Sequence, residues 1–579
     1  MRVERRAHPA QRSPRSEEGT RRIDKRQLDG LRRGQGELEN HLVDEFVAAR
    51  LSRREFLRRG TVVGMSLPVL GALAASAGNS PFAATRKQAG KPGATIRVGT
   101  LVPTGAIDPL TVPDRGGEQM LGQTGQFLVN SDEQLNLRPV LATSWHPNSS
   151  ATVWTFKIRK GVTFSDGKGL TADDVVYTYK LQSDPKNGGD ALSVFGGVLE
   201  PDGVEKVDDF TVAFHLNNSN AAFPYACSSD NFNLIILPKG YDPAKWQTSF
   251  LGTGPFVMKH YSPGVGASFV RNNRYWGPKA LPIGSEWTFY ESETPMAAAL
   301  EAGDIDYMQE FTVAGSPQLL HGGYKIYDLK SAENLQLSMR NDIRPFTDAR
   351  VRRAVALSLD RPAIISALLQ RYADIGNDNP FAPVFPETDP RVPQRHQDLK
   401  QAANLLAAAG YPRGFSTELL TQNTDGCPAF AQVVAESAAK LGIHISLTVE
   451  SPTKYYGTST FGSSDWLDGV MSLVHYASRS TPNVYLTAPL QTITKSGQGR
   501  WNAARFNNPT YDRLSKEYIG ALDLSLQRKL AGQIETLLLQ ETPIIFPYFI
   551  RFLSAAAKTV SGVYPTQVGQ IFLASATKR

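Results

Sequence analysis

The sequence predicts an α/β protein of at least two domains. Three observations predict it. The chain has 579 residues, more than a single hydrophobic core accommodates well. Leu137 to Pro185 holds an alternating strand, two tight turns and a capped helix, in that order. From Thr347 the pattern turns helix-rich, and a helix at 429–441 runs into an alternating strand at 443–449, an α/β succession. A hydrophobic fraction of 41%, with 20 Tyr, 27 Phe and 7 Trp, is ample for packing.

The first 77 residues read as an export leader. Residues 1–60 hold 16 of the 62 Lys/Arg and 10 of the 55 Asp/Glu, residues 61–77 hold none, and the rest of the chain is nearly balanced. The formal net charge of +7 therefore belongs to the leader, and the near-neutral body argues against a nucleic-acid surface. Ser52-Arg53-Arg54-Glu55-Phe56-Leu57 resembles the twin-arginine export motif. An uncharged run, Gly60 to Ala77, follows and ends in Ala75-Ser76-Ala77, a small-residue cleavage site. A membrane anchor is the alternative, but the run is short for spanning and Gly64, Pro68 and Gly71 dilute it. No Cys follows it, which disfavours a lipid anchor. Leu38 to Arg50 has the pattern of a helix leading into the motif. The expected product is a free periplasmic protein, cleaved after Ala77.

Residues 78–93 read as a flexible start, and Thr95 to Gly99 as a first strand leading into the Pro/Gly loop Pro103 to Pro109. Within Leu137–Pro185, Val153 to Arg159 alternates apolar and polar faces. Lys160-Gly161 turns the chain and Val162-Thr163-Phe164 is expected to pair back. Ser165-Asp166-Gly167 makes a second turn. Thr171 with Asp174 is a capping box, and Val175, Val176 and Tyr179 follow at helical spacing. Val207 to Leu216 is another hairpin. Met296 to Ala302 is helical and stops at Gly303. Val351, Ala354, Val355, Leu357 and Leu359 share a face, and Pro362 starts the next helix. Leu399 to Ala409 ends at Gly410. Ser525 to Gln540 is a long helix before the apolar strand Ile544–Phe552. Cys227 and Cys427 are expected to be buried and free.

The wording of several pieces, in order, resembles the solute-binding proteins of peptide/nickel-type ABC importers. They are Pro139 to Ala142 with Ser144-Trp145, the strand, turns and capped helix above, Gly252-Thr253-Gly254-Pro255-Phe256, Asn273 to Trp276, Ala298 to Asp306, Asn341 with Pro345 to Ala354, Asp398 to Tyr411, and Asn508-Pro509 with Tyr511 to Leu514. The resemblance implies an α/β periplasmic binding protein fold, two lobes around a hinge with a central ligand cleft. One lobe is expected over 94–330 with 545–579 returning to it, the other over 331–544. It implies a receptor that passes a small solute, peptide-like or otherwise polar or anionic, to a membrane permease of an ABC importer. No catalytic residue, metal or cofactor follows from it. A sensor sharing the fold is the alternative.

One rival comes from short motifs. Ser165-Asp166-Gly167-Lys168, Ser229-Asp230-Asn231 and Lys495-Ser496-Gly497 mimic the three boxes of serine acyl enzymes of the penicillin-binding type. That chemistry needs the serine at a helix start with its lysine one turn on, whereas here glycines flank the lysine in a turn. No Walker A motif, nucleophile elbow or His/Cys metal cluster is present.

In peptide-binding members, the resemblance places an Asp for the peptide ammonium in the second-lobe loop. Here Ser478 occupies that place and supplies no charge. Arg479 beside it points instead to a carboxylate, which its planar fork suits. His475, Tyr476 and Arg479 are the first candidates for ligand contact, with Trp466 as a stacking platform. Asn379, Phe381, Trp501 and Asn502 are further candidates, and the loop Thr104 to Asp108 offers backbone groups from the first lobe.

Overall fold

The computed structural model describes residues 28, 32, 35–76, 93–424, 426–494 and 498–579. The expected cleavage point at Ala77, most of the start at 78–93 and the Lys495-Ser496-Gly497 triplet lie outside the described residues. The chain divides into two compact units, Met1–Thr85 and Arg86–Arg579.

In the first unit, helices cover Glu37–Val47, Arg53–Val62 and Leu67–Ser76. The second starts on the arginine pair itself. Ser52 is its N-cap: the hydroxyl accepts from the Glu55 backbone, and the Glu55 carboxylate accepts from the Ser52 N–H at 2.6 Å. The rings of Phe46 and Phe56 stack at 4.2 Å and tie the first helix to the second. No helix among the described residues is long and apolar enough to cross a membrane.

The second unit is built on a twelve-stranded mixed sheet. Along its main path the order is His444–Glu450, Ser416–Gln422, Met471–Tyr476, Lys325–Met339, Tyr548–Ala556, Tyr307–Met308, Thr95–Leu101, Gly284–Tyr290, Gly266–Arg271 and Phe256–Ser262. Parallel pairs sit in both halves, Thr95–Leu101 on Gly284–Tyr290 and Ser416–Gln422 on His444–Glu450. Between the halves run two long antiparallel strands, Lys325–Met339 and Tyr548–Ala556. Their register slips between Leu329 and Glu333. At the slip Ser331 donates to the Ile550 carbonyl at 2.6 Å and accepts from the Glu333 N–H at 3.0 Å, so the bulge is internally satisfied.

Each half has its own core. One packs Leu335, Leu337, Val351, Val355, Leu406, Leu419, Phe430, Met471 and Leu473. The other packs Met296, Leu300, Ile305, Met308, Phe311 and Leu553. The helices Ala349–Leu357, Arg361–Leu369, Leu399–Ala408, Cys427–Ala439 and Leu524–Glu541 fall where the apolar spacing puts them. The apolar stretch 544–552 is two strands, Ile544–Ile545 and Tyr548–Ala556, because Pro547 has no N–H to continue the ladder.

A separate four-stranded sheet runs Ala142–Pro147, Val153–Ile158, Thr211–His215, Val204–Asp208. This corrects one expectation: 162–164 does not pair back on 153–159. Both edges of Val153–Ile158 are already occupied, and Thr163 bridges Gly169 across the Ser165–Gly167 turn. The helix Ala172–Ser183 carries the expected box, with the Thr171 N–H donating to Asp174 Oδ2 at 2.8 Å. The Gly252-Thr253-Gly254 motif has a packing reason. A Cβ at either glycine would run into the carbonyl of Thr124.

The C-terminal segment returns to the first half. Its loop at 566–571 lies on the helix Arg115–Thr124, where Gln119 Nε2 donates to the Gly569 carbonyl at 2.9 Å and Gln309 Nε2 donates to the same oxygen at 3.1 Å. Lys578 reaches the Asp306 carboxylate at 2.9 Å. Cys227 and Cys427 are buried free thiols.

Candidate functional site

Loops carried by the two halves of the second unit meet around a cavity of about 160 Å³. One wall comes from the short helix Leu192–Phe195 with the Gly196-Gly197 turn after it, from Asn218 to Asn220, and from Asp230 and Asn231. The facing wall comes from Arg479 to Thr481, which follow directly on the strand Met471–Tyr476, and from Asn483, Gln491, Arg500 and Lys516.

The walls touch directly. Arg500 sends Nη2 to the Ser193 carbonyl at 2.9 Å and Nη1 to the Leu192 carbonyl at 3.3 Å. Its guanidinium lies 4.4 Å over the Trp501 ring. The Ala221 N–H donates to the Ile519 carbonyl at 2.8 Å, Asn483 Nδ2 donates to Asn220 Oδ1 at 3.4 Å, and the hydroxyls of Ser131 and Ser480 are 3.3 Å apart. The cavity is thus roofed by contacts the protein makes with itself.

Its lining mixes apolar and polar groups and is electropositive. The charged members are Asp230, Arg479, Arg500 and Lys516, three cations to one anion. Two buried amide atoms on the lining, Asn231 Nδ2 and Gln491 Oε1, have no hydrogen-bond partner among the described residues. Buried polar atoms are seldom left so, and a cavity supplies the reason.

Near the bulge, at the junction of the halves, lies a buried ionic cluster. Arg115, at the start of its helix, stands 3.4 Å from Glu118, 3.3 Å from Glu310 and 3.9 Å from Glu333, and also donates to the Val568 carbonyl. His475 Nε2 is 2.9 Å from Glu333 Oε1. One arginine cannot neutralise three carboxylates. Burial pushes Glu118 up to about 7, against the pull of Arg115. Burial likewise pushes Glu310 up to about 7. Burial would raise Glu333 too, but His475 by charge and hydrogen bond, with Arg115, holds it below its ordinary value.

Of the residues singled out from sequence, Arg479 lines the cavity. Its side chain donates from Nη1 to the Ser478 carbonyl at 3.2 Å. His475 belongs to the ionic cluster. Tyr476 stands behind the wall among Trp466, Tyr485 and Trp501, at ring separations of 6.1 to 6.2 Å, with its hydroxyl buried and without a hydrogen-bond partner among the described residues. Trp466 packs with Tyr455, Leu467 and Ala503. Asn379 accepts from the Phe381 N–H at 2.9 Å and shapes a turn, and Phe381 packs edge-on to Tyr518. Asn502 donates to the carbonyls of Gln491 and Phe506 at 2.9 and 2.7 Å and so holds the cavity loop from outside. The loop Thr104 to Asp108 is not on the lining; Thr104 binds Asp114 and the Ile107 N–H donates to Gln247. Ser478 is buried, accepting from the Ala332 N–H at 3.1 Å and donating to Gln567 at 3.2 Å.

Sequence reasoning missed Asn231, Gln491, Arg500 and Lys516. The Ser229-Asp230-Asn231 triplet is the one with a sequence signal, where it mimics an enzyme box that the turn around Lys168 argues against. Ser229 is buried and accepts from the Ser131 N–H at 3.2 Å, and Lys168 lies 3.9 Å from Asp174 in the turn.

The profile of the bacterial extracellular solute-binding proteins, family 5 (middle region), matches residues 136–492. Heme-binding protein A of Haemophilus influenzae is 26% identical over 459 residues, covering 74% of this chain and 81% of that protein. The oligopeptide-binding protein AppA of Bacillus subtilis is 27% identical over 531 residues, covering 85% and 94%. Among solved structures, HbpA2 of Haemophilus parasuis superposes with a TM-score of 0.72 at 22% identity, over 84% of this chain and all of that one.

Proposed function

We propose a function from one premise: the chain belongs to the bacterial extracellular solute-binding proteins of family 5, whose members deliver peptides or similar ligands to ABC importers. The receptor takes a small polar solute into the cavity between its lobes, and the closed form is what the permease recognises. The observation that carries this reading is the cavity itself, walled on one side by segments next to the four-stranded sheet and on the other by the chain after the strand Met471–Tyr476, with buried polar atoms left open on its lining. A ligand stabilises closure only through its stronger binding to the closed form. The relatives are named for haem and for oligopeptides, so the family name alone selects no solute.

The lobes are read as 94–330 with 545–579, and 331–544, which places the hinge at the bulged pair of long strands. Arg479 is read as the ligand contact. His475, Tyr476 and Trp466, with Asn379, Phe381, Trp501 and Asn502, are read as the frame that holds the second wall in place. The arginine pair at 53–54 and the small residues before 78 support export through the twin-arginine machinery and cleavage after Ala77, giving a periplasmic receptor.

Native mass spectrometry of the 78–579 form from a periplasmic extract tests the reading. A co-purified mass that leaves on denaturation is expected. A protein that carries no solute and whose melting temperature no solute library shifts would refute it.

A further inference from the structure

The cavity has a chemical polarity that the family name does not specify. Arg479 is anchored by one N–H to the Ser478 carbonyl; it acts by charge on the buried Glu118, but no carboxylate of the described residues lies within ion-pair distance of it. Asn231, 5% exposed, offers an unpartnered amide donor to the same space. Lys516 and Arg500 add positive charge, and the lining keeps an excess of two cations even with Asp230 counted. Donors and cations together describe a seat for an anion. Gln491 Oε1 describes the complement, an acceptor waiting for an N–H or O–H. The loop position beside Arg479 is Ser478, a neutral hydroxyl engaged on both sides by Ala332 and Gln567. The volume, about 160 Å³, is below the usual range of about 300–1,000 Å³ for ligand pockets.

We propose that the site takes a compact solute through its carboxylate, held by the Arg479 fork and the Asn231 amide, with a hydrogen-bond donor of the solute on Gln491 and no requirement for a ligand ammonium. This rests on the solute-receptor reading above. A guanidinium–carboxylate pair in a partly desolvated cleft is among the stronger polar contacts. Its strength depends on the planar fork, so a lysine replaces it poorly.

The test is calorimetry on the 78–579 protein with four probes: alanyl-alanine, its N-acetyl derivative, its C-terminal amide, and succinate. The free acids are expected to bind, the N-acetyl form at least as well as the parent and succinate, which brings no donor to Gln491, less well, with the amide roughly 10- to 100-fold weaker than the parent. Arg479→Ala should weaken the free acids by a similar factor and leave the amide unchanged, with Arg479→Lys in between. Asn231→Leu, of similar size, should cost less than Arg479→Ala and in the same direction. Melting curves of the unliganded variants check that each is folded. Equal binding of acid and amide, binding indifferent to Arg479, or silence from all four probes overturns the proposal. A neutral or cationic solute co-purifying with the protein would overturn it while leaving the receptor reading intact.

Discussion

Glu118→Gln isolates the charge balance at the junction. Glu118 is fully buried, and its Oε1 has no hydrogen-bond partner among the described residues. Its carboxyl is raised from 4.5 to about 7, chiefly by burial. A raised carboxyl stabilises the folded protein below the unfolded-state value, and that contribution is lost as pH climbs through the folded-state value. Wild type should therefore lose stability between about pH 5 and pH 8. Glutamine has nearly the same shape and no proton to lose. Near pH 5 the two proteins should differ little. Between pH 5 and pH 8.5 the variant should gain on wild type by about 2–3 kcal/mol, the larger part of the roughly 3.5 kcal/mol that the full rise from 4.5 to about 7 is worth at about 1.4 kcal/mol per pH unit. Arg115 keeps Glu310 and Glu333 as partners, so the change strands no cation. Urea denaturation of both proteins at half-unit steps from pH 5 to 8.5 reads the difference, in which groups away from the cluster cancel and the neighbouring Glu310 is part of the signal. A flat difference would show that burial does not govern this carboxyl. A difference of opposite slope would show that Arg115 holds it ionised, and either result refutes the reasoning.

Other perturbations follow from the same contacts. Asp378→Ala leaves Arg361, 1% exposed, and Arg395 buried without their shared carboxylate, which Arg361 Nη2 grips at 2.7 and 2.8 Å. It should cost about 3–5 kcal/mol in a urea melt, and a loss below about 1 kcal/mol would contradict the account. Arg500→Ala removes both hydrogen bonds to the Leu192 and Ser193 carbonyls. The unliganded variant should shift toward an open form, seen as a larger radius of gyration by small-angle scattering, and solute should dissociate roughly 10-fold faster or more. Unchanged scattering and release would remove Arg500 from the closure. Arg53→Lys with Arg54→Lys should leave uncleaved precursor in the cytoplasm by cell fractionation, and normal processing would discard the export reading.

The elements that sequence exposes best are those with a local cause. The Thr171–Asp174 box, Pro362 at a helix start and the paired glycines at 252 and 254 each act within a few residues, or against one carbonyl, and their wording carries them. Strand pairing is different. The chain at 162–164 has strand composition, yet whether it pairs depends on 142–147 and 211–215 having filled both edges first. The site shows the same limit more sharply. Arg479 is legible because its loop has recognisable neighbours, but Asn231 faces it from about 250 residues away with no periodicity to announce it. Aromatic residues near the loop invite a stacking role, and Trp466 and Tyr476 instead brace one another behind the wall. What a contact list from sequence lacks is which side of a loop faces the gap.

The return of the C-terminal segment also fixes an order of events in the making of the protein. The strand Tyr548–Ala556 fills the slot between Tyr307–Met308 and Lys325–Met339, and the loop at 566–571 lies on the helix that carries Arg115 and Glu118. While the ribosome is still adding residues beyond 545, that slot is empty and the side of this helix that the loop will cover is wet. The half of the molecule that is synthesised first is therefore the half that is completed last, although the 331–544 core is assembled almost wholly from its own stretch of chain. A nascent chain that stalls short of this segment presents an open sheet slot and a hydrated glutamate cluster.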